Sequence, residues 1–210
     1  MRKKGMWWII LAGIVVIAGA FWGSIVSNVE HPKYKIVASY RSIEIRDYGA
    51  MIVAEVEVAG ERDTAISAGF RILANYIFGN NLSSRKVAMT APVTQQLNEK
   101  IAMTAPVTQV GKGNSWQVRF VMPASYTLAT LPKPNDPTVK IREIEAKRFA
   151  VIRFSGLAGG DSLQRKTDQL TKFMMEKKMV PASSPIYAFY NPPWTLPFMR
   201  RNEIMIEVGC

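Results

Sequence analysis

Ile43-Glu-Ile-Arg-Asp-Tyr48 and Val139-Lys-Ile-Arg-Glu-Ile144 are one pattern written twice, 96 residues apart. In each, apolar and charged residues alternate, as in a half-buried strand. Outward from the first copy, Gly49 supplies a turn, and Ile52, Ala54, Val56 and Val58 resume the alternation with Glu55 and Glu57 on the other face. From Glu61 to Phe78 the period becomes helical: Ile66, Phe70, Leu73 and Ile77 share one face, and Gly79-Asn80-Asn81 ends the helix. Trp116, Val118, Phe120 and Met122 return to period two. Pro132, Pro134 and Pro137 mark an irregular connection, after which the same order begins again. Phe149–Phe154 is a strand, and Gly159-Gly160-Asp161-Ser162 opens a helix with Asp161 or Ser162 as N-cap and Leu163, Leu170 and Met174 on its buried face. Ile186–Tyr190 and Ile204–Val208 close the set as strands. The predicted domain is α+β, with two like halves at about 39–122 and 139–210. Its antiparallel sheet is twisted, or curled into a distorted β-barrel, and flanked by two helices; neither half can bury its sheet alone.

A shorter repeat lies inside the first half. Lys86-Val-Ala-Met-Thr-Ala-Pro-Val-Thr-Gln95 recurs as Lys100-Ile-Ala-Met-Thr-Ala-Pro-Val-Thr-Gln109, and both copies read as strands able to pair as a hairpin. Pro92 and Pro106 cannot donate to a ladder, which puts each at an edge, a strand start or a bulge. The repeat either lengthens a hairpin or lines a ligand surface.

Met6–Val26 is a run of 21 residues without a charge. As a helix it spans roughly 31 Å, the thickness of a bilayer's hydrocarbon core. Trp7, Trp8 and Trp22 sit where interfacial aromatics belong, and Arg2, Lys3 and Lys4 favour a cytoplasmic N-terminus. The expectation is a membrane anchor over 1–28, a tether over 29–38 and an extracytoplasmic domain over 39–210, periplasmic in a Gram-negative cell. A cleaved signal peptide ending near Ala18-Gly19-Ala20 is the alternative.

The formal charge of +11 favours anionic partners: lipid headgroups or a carboxylate-bearing ligand. Nucleic acid is not expected, since the cations are scattered and no DNA- or RNA-binding signature accompanies them. Cys210 is the only cysteine and His31 the only histidine. An intrachain disulfide, a His-dependent nucleophile and a His-rich metal site are thereby excluded. Glu143 and Glu145 read as a solvated pair on one strand face, and Glu203, beside Arg200 and Arg201, reads as ion-paired. Asn191-Pro-Pro-Trp-Thr-Leu-Pro-Phe-Met-Arg-Arg201 is a loop in which Trp194 and Phe198 cover a flat apolar ligand, the sheet edge or the membrane surface.

Four segments together resemble the SOUL family of haem-binding proteins: Asn75-Tyr-Ile-Phe-Gly-Asn-Asn81, the Met-Thr-Ala-Pro-Val repeats, Val118-Arg-Phe-Val-Met-Pro123 and Tyr190-Asn-Pro-Pro-Trp-Thr-Leu-Pro-Phe-Met-Arg-Arg-Asn-Glu203. The resemblance extends from about Tyr34 to Val208. It implies a barrel of duplicated halves, related to bacterial effector-binding domains, that binds haem or another tetrapyrrole reversibly on a shallow apolar surface along the first helix. Carried over by position, that surface uses Ser67, Phe70, Ala74 and Asn75, with help from the Pro-Pro loop through Trp194. Ala74 and Asn75 stand where the better-studied pattern has a larger apolar residue and a basic one. Arg71, Arg200 and Arg201 are the candidates to meet the propionates. The expected protein is a membrane-anchored, non-enzymatic module that holds the ring by apolar contact without a histidine ligand. An effector-binding-type module for other amphipathic small molecules is the alternative, and a tetrapyrrole-modifying enzyme the third.

Overall fold

The computed structural model describes residues 29–83, 98–192 and 194–209. Eleven strands and two α-helices follow in order: β1 (Tyr34–Tyr40), β2 (Ile43–Tyr48), β3 (Met51–Ala59), α1 (Arg62–Ile77), β4 (Asn81–Leu82), β5 (Val107–Lys112), β6 (Ser115–Val121), β7 (Lys133–Pro134), β8 (Lys140–Ile144), β9 (Lys147–Phe154), α2 (Gly160–Glu176), β10 (Ile186–Phe189) and β11 (Asn202–Glu207). Nine strands make one antiparallel sheet in the order β1-β2-β9-β11-β10-β5-β6-β3-β8, and β4 pairs with β7 apart from it.

The order reads the same from both ends once β1 is set aside. β2 and β8 are equivalent, as are β9 and β3, β11 and β6, and β10 and β5, so a pseudo-twofold axis passes between β10 and β5. The duplicated stretches are thus exchanged: β2 of the first half lies on β9 of the second, and β8 of the second lies on β3 of the first. Even the registers agree, Arg46 facing Phe149 and Arg142 facing Val53.

Both helices pack on one face of the sheet. α1 sets Leu73, Tyr76 and Ile77 on Ala54, Val56, Val118 and Phe120, and α2 sets Leu163, Leu170 and Met174 on Ile43, Ile45, Ala150, Ile152 and Ile204. α1 approaches closely because of Gly69, where a Cβ would stand 2.7 Å from Val118 Cγ2. Its end is fixed by Asn81, whose amide donates to the Tyr76 and Glu99 carbonyls, both at 2.8 Å, while Gly79 turns the chain at φ +119°.

The opposite, concave face is closed by a charged cluster. Arg46 is only 2% exposed and grips the fully buried Glu203 with two bonds, Nη1 to Oε2 at 2.9 Å and Nη2 to Oε1 at 3.2 Å. Arg201 donates to Glu203 Oε1 from Nε and Nη2, and the Tyr190 hydroxyl donates to Oε2 at 2.7 Å. Burial alone pushes the Glu203 carboxyl up; hydrogen bonds and charge from Arg46, with the charge of Arg201, outweigh it and hold the group below its usual range. Glu55 is gripped in the same manner by Arg119 and Arg142, each at 2.9 Å. Arg46 and Arg142 are equivalent positions of the duplicated stretch, but β1 covers β2, and the Tyr34 ring lies 4.3 Å from the Arg46 guanidinium. β8, at the end of the strand order, has no such cover, and Arg142 stays exposed.

Several expectations need correction. The tether over 29–38 belongs to the fold: Glu30 bridges Thr104, and Tyr34–Tyr40 is the edge strand β1. Its residues missed recognition because β1 is half solvated and carries no strict alternation. The second Met-Thr-Ala-Pro-Val copy becomes a strand only from Val107, after Pro106 has ended the irregular approach, and β5 pairs with β6 and β10. The first copy lies outside the described residues, as does Met6–Val26. Among the described residues no helix is long and apolar enough to cross a membrane. The N-cap of α2 is Gly159 without a side-chain bond, which leaves Asp161 in the first turn, where its charge still suits the helix dipole.

Two measurements check this packing. Gly69→Ala gains about 1 kcal/mol of helix propensity but forces α1 off Val118, a strain of about 1–3 kcal/mol, so chemical denaturation shows a net loss or at best no gain. A clear gain in the denaturation midpoint contradicts the close approach. Because the carboxyl of Glu203 is depressed in the fold, its contribution is present above the unfolded value of 4.5 and is lost as pH falls through the folded one. Glu203→Gln therefore costs about 3–5 kcal/mol near neutrality, and the gap from wild type narrows on acidification. Parallel pH–stability curves rule the clasp out as the source.

Candidate functional site

α1 has a second stripe, half-buried at its start and open to solvent toward its end. Arg62, Ile66 and Phe70, spaced by four, run along the side of the helix that overlooks β5 and β10. Arg62 donates to Gln109 Oε1 at 2.8 Å and spreads over Trp116, Tyr187 and Phe189 at 5.7–5.9 Å. Phe70 meets Phe120 edge-on, with centroids 5.3 Å apart, and remains 38% exposed. It was expected on the core face; Ala65, Gly69, Leu73, Tyr76 and Ile77 hold that face, which leaves Phe70 at its margin. Beyond Phe70 the stripe continues through half-buried Ala74 to Phe78, which is 60% exposed.

Ser67, Arg71 and Asn75 flank this stripe, all exposed. The Ser67 hydroxyl donates to the Asp63 carbonyl at 2.8 Å, and Arg71 Nε reaches the Ser67 carbonyl at 3.4 Å, so the far end of the guanidinium extends beyond the helix. Five of the expected residues, Ser67, Phe70, Arg71, Ala74 and Asn75, thus share one open surface, with Phe78 as an addition. An exposed phenylalanine in the Tyr-Ile-Phe-Gly stretch was the missed signal.

The floor beside the stripe is a row across three strands. Phe120 faces Val107, and Val107 faces Phe189. At about 4.8 Å per strand, Phe189 lies roughly 10 Å from Phe120. The Pro-Pro loop starts at the next residue but one, and its Trp194 is 70% exposed. Arg200 Nε donates to the Thr195 carbonyl at 2.8 Å, bracing the loop from inside. Arg201 does not join this surface. It faces the concave side, held by Glu203 and stacked 3.9 Å over Tyr190, because its strand position has the parity of Glu203.

The concave face holds two adjoining cavities of about 350 and 320 Å³ that share Pro32, Met51 and Val121. His31 is fixed beside them: its Nδ1 lies 3.0 Å from the Ala105 carbonyl and its ring 5.5 Å from that of Tyr190. A carbonyl only accepts, so Nδ1 carries the proton. The chain's histidine is therefore on the sheet face away from α1. Burial pushes the Tyr48 hydroxyl, in the second cavity's wall, up to about 12, so it stays neutral. Three carboxylates of this face are matched by cations, Glu203 by Arg46 and Arg201, Glu55 by Arg119 and Arg142, and Glu207 by Lys147 at 2.7 Å, while Glu30, Glu143 and Glu145, which line the cavity rims, are exposed to solvent. A site for cationic compounds needs an unmatched buried carboxylate, which none of these is. Among the described residues no group of three or more His, Cys, Asp or Glu side chains is placed to hold a metal.

Comparison with known proteins joins this geometry to a family. A model of the family described as SOUL heme-binding protein matches residues 29–207. Heme-binding protein 2 of Mus musculus is 27% identical over 167 residues, covering 79% of this chain and 77% of that protein. Heme-binding protein 2 of Homo sapiens is 28% identical over 171 residues, with 79% and 77% covered. Among solved structures, the EcmrR C-terminal domain superposes with a TM-score of 0.55 over 84% of this chain and 98% of its own, at 13% identity, a likeness of fold alone. The match begins at Val29, where the described domain begins, and takes in α1, the Pro-Pro loop and the clasp: the chain belongs to the SOUL heme-binding protein family.

Proposed function

We propose that this chain is a membrane-anchored, non-enzymatic carrier or buffer of haem or a related tetrapyrrole, held on the open stripe of α1. The observation that carries the reading is the outward-facing pair Phe70 and Phe78, with Ala74 between them and Arg71 beside them, on the helix that family membership points to. A flat apolar ring gains most from surfaces that are already dry-sided and rigid, and Phe70 is braced by Phe120 beneath it. Arg71 stands beside the stripe, where a propionate would emerge, and Arg200, in the Pro-Pro loop, is the proposed partner of the other. The small Ala74 leaves room for a ring to lie against the helix.

The donor set fits a ring held by contact. With His31 on the far face, this surface offers haem iron no imidazole, and binding rests on buried apolar area plus charge at the rim. Bound haem would supply iron and a conjugated ring; the protein's own residues would shield one face and orient the carboxylates. The pairing of the buried concave carboxylates, Glu203 and Glu55, disfavours the effector-binding alternative, and the absence of a nucleophile–base pair in the sequence disfavours catalysis. The anchor at Met6–Val26 would hold the domain on the outer side of the membrane.

Titration of the full chain in phospholipid nanodiscs with haemin is expected to give a saturable shift of the Soret band with quenching of tryptophan fluorescence. Phe70→Asp is expected to weaken binding by roughly tenfold or more, the equivalent of about 1.4 kcal/mol, and Arg71→Glu to weaken it less. No Soret shift with wild type, or unchanged binding by the Phe70 variant, rejects the site.

A further inference from the structure

The Pro-Pro loop has a feature that ring binding leaves unused. Trp194 and Phe198 are 70% and 73% exposed, and Leu196 and Met199 are exposed beside them. Leu157, 64% exposed, joins the group, because the Gly156 amide donates to the Pro197 carbonyl at 2.9 Å. Five large apolar side chains thus project from one tip. The tip is braced: Thr195 N donates to Pro192 O, Met199 N to Leu196 O, and Asn202 Nδ2 to Gly156 O. A contiguous, rigidly presented apolar patch of this kind marks an interaction surface.

Where the chain leaves the described domain identifies the occupant. His31 packs on Tyr190, the residue from which the loop departs, and Val29 packs in the same cluster. Four residues lie between Val26, the end of the apolar run, and His31. At roughly 3.5 Å per residue the chain can reach no more than about 17 Å from His31, which packs on the loop's root, to the end of that run. Arg41 and Arg153 are exposed on the neighbouring turn and strand end, tied together where the Arg153 amide donates to the Ser42 carbonyl. Exposed tryptophan and phenylalanine rimmed by arginines match the bilayer interface, where aromatic rings meet headgroups and cations meet lipid phosphate.

We infer that the tip formed by Leu157, Trp194, Leu196, Phe198 and Met199 docks in the headgroup region of the bilayer that anchors the chain, and that the α1 groove opens beside that lipid surface. This rests on the anchored, ring-binding reading above. An amphipathic tetrapyrrole dissolved in the leaflet would then reach Phe70 by lateral diffusion along the membrane.

The test uses the full chain with Cys210→Ser and one cysteine carrying an NBD fluorophore, placed by Phe198→Cys, by Leu157→Cys, or by Asn114→Cys in the β5–β6 turn at the opposite end of the sheet. Each is reconstituted into vesicles of phosphatidylcholine and phosphatidylglycerol and floated on a density gradient. The expected result is co-flotation of all three, with a blue shift and quenching by headgroup-proximal doxyl lipid at 198 and 157 and water-like emission at 114. Co-flotation with water-like emission at 198 and 157 overturns the docking but leaves the anchor standing. Failure to float overturns both. A blue shift without lipid quenching means that protein covers the tip, which also overturns the docking.

Discussion

The exchange of one strand between two like halves is the constraint from which the rest follows. β2 lies on β9 and β8 on β3, so neither half can complete its sheet without the other. Arg46 carries that exchange into the concave face, where it meets Glu203 on β11, two strands away in the order. A buried ion pair is weak evidence for stability by itself, since desolvation offsets much of the attraction. Here it is saturated with donors, from two guanidiniums and the Tyr190 hydroxyl, and it ties β2 to β11 across β9.

The network occupies part of the concave face beside the two cavities, both helices pack on the other side, and the proposed functional surface is what they leave uncovered there. α1 sits so low on Val118 that Gly69 takes the closest approach, and Phe70 is turned outward onto Phe120. The proposed ligand surface is thus the part of α1 that this close packing leaves open. The same row of Phe120, Val107 and Phe189 leads to the Pro-Pro loop, which ties the ring site to the proposed membrane contact.

Much of this was legible in the residues. Alternation fixed β2, β3, β6 and β8, period fixed both helices, and the 96-residue echo exposed the duplication. What was not legible has physical causes. Strand exchange leaves no trace in a single strand's pattern, because β2 reads the same whichever half it joins. Phe70 looked like core by spacing; only the missing Cβ at position 69, meaningful once Val118 is seen above it, shows otherwise. Arg201 looked available until the parity of β11 placed it on the concave side with Glu203. The repeated arginine of the duplicated stretch could have flagged Arg46 and Arg142 as counterparts. Their different burial comes from β1, whose half-solvated sequence resembles a linker.

The central claim, that the ligand lies on the helix side of the sheet and not in the cavities beside His31, has a direct test. Paramagnetic haemin broadens nuclear resonances steeply with proximity, so titration into isotopically labelled protein maps the ring without any mutation. The account predicts early loss of signals from Ser67, Phe70, Arg71, Ala74 and Phe78 while those of Tyr48, Phe149 and Met205 persist. Early loss at Tyr48, Phe149 and Met205 with α1 unaffected would contradict it.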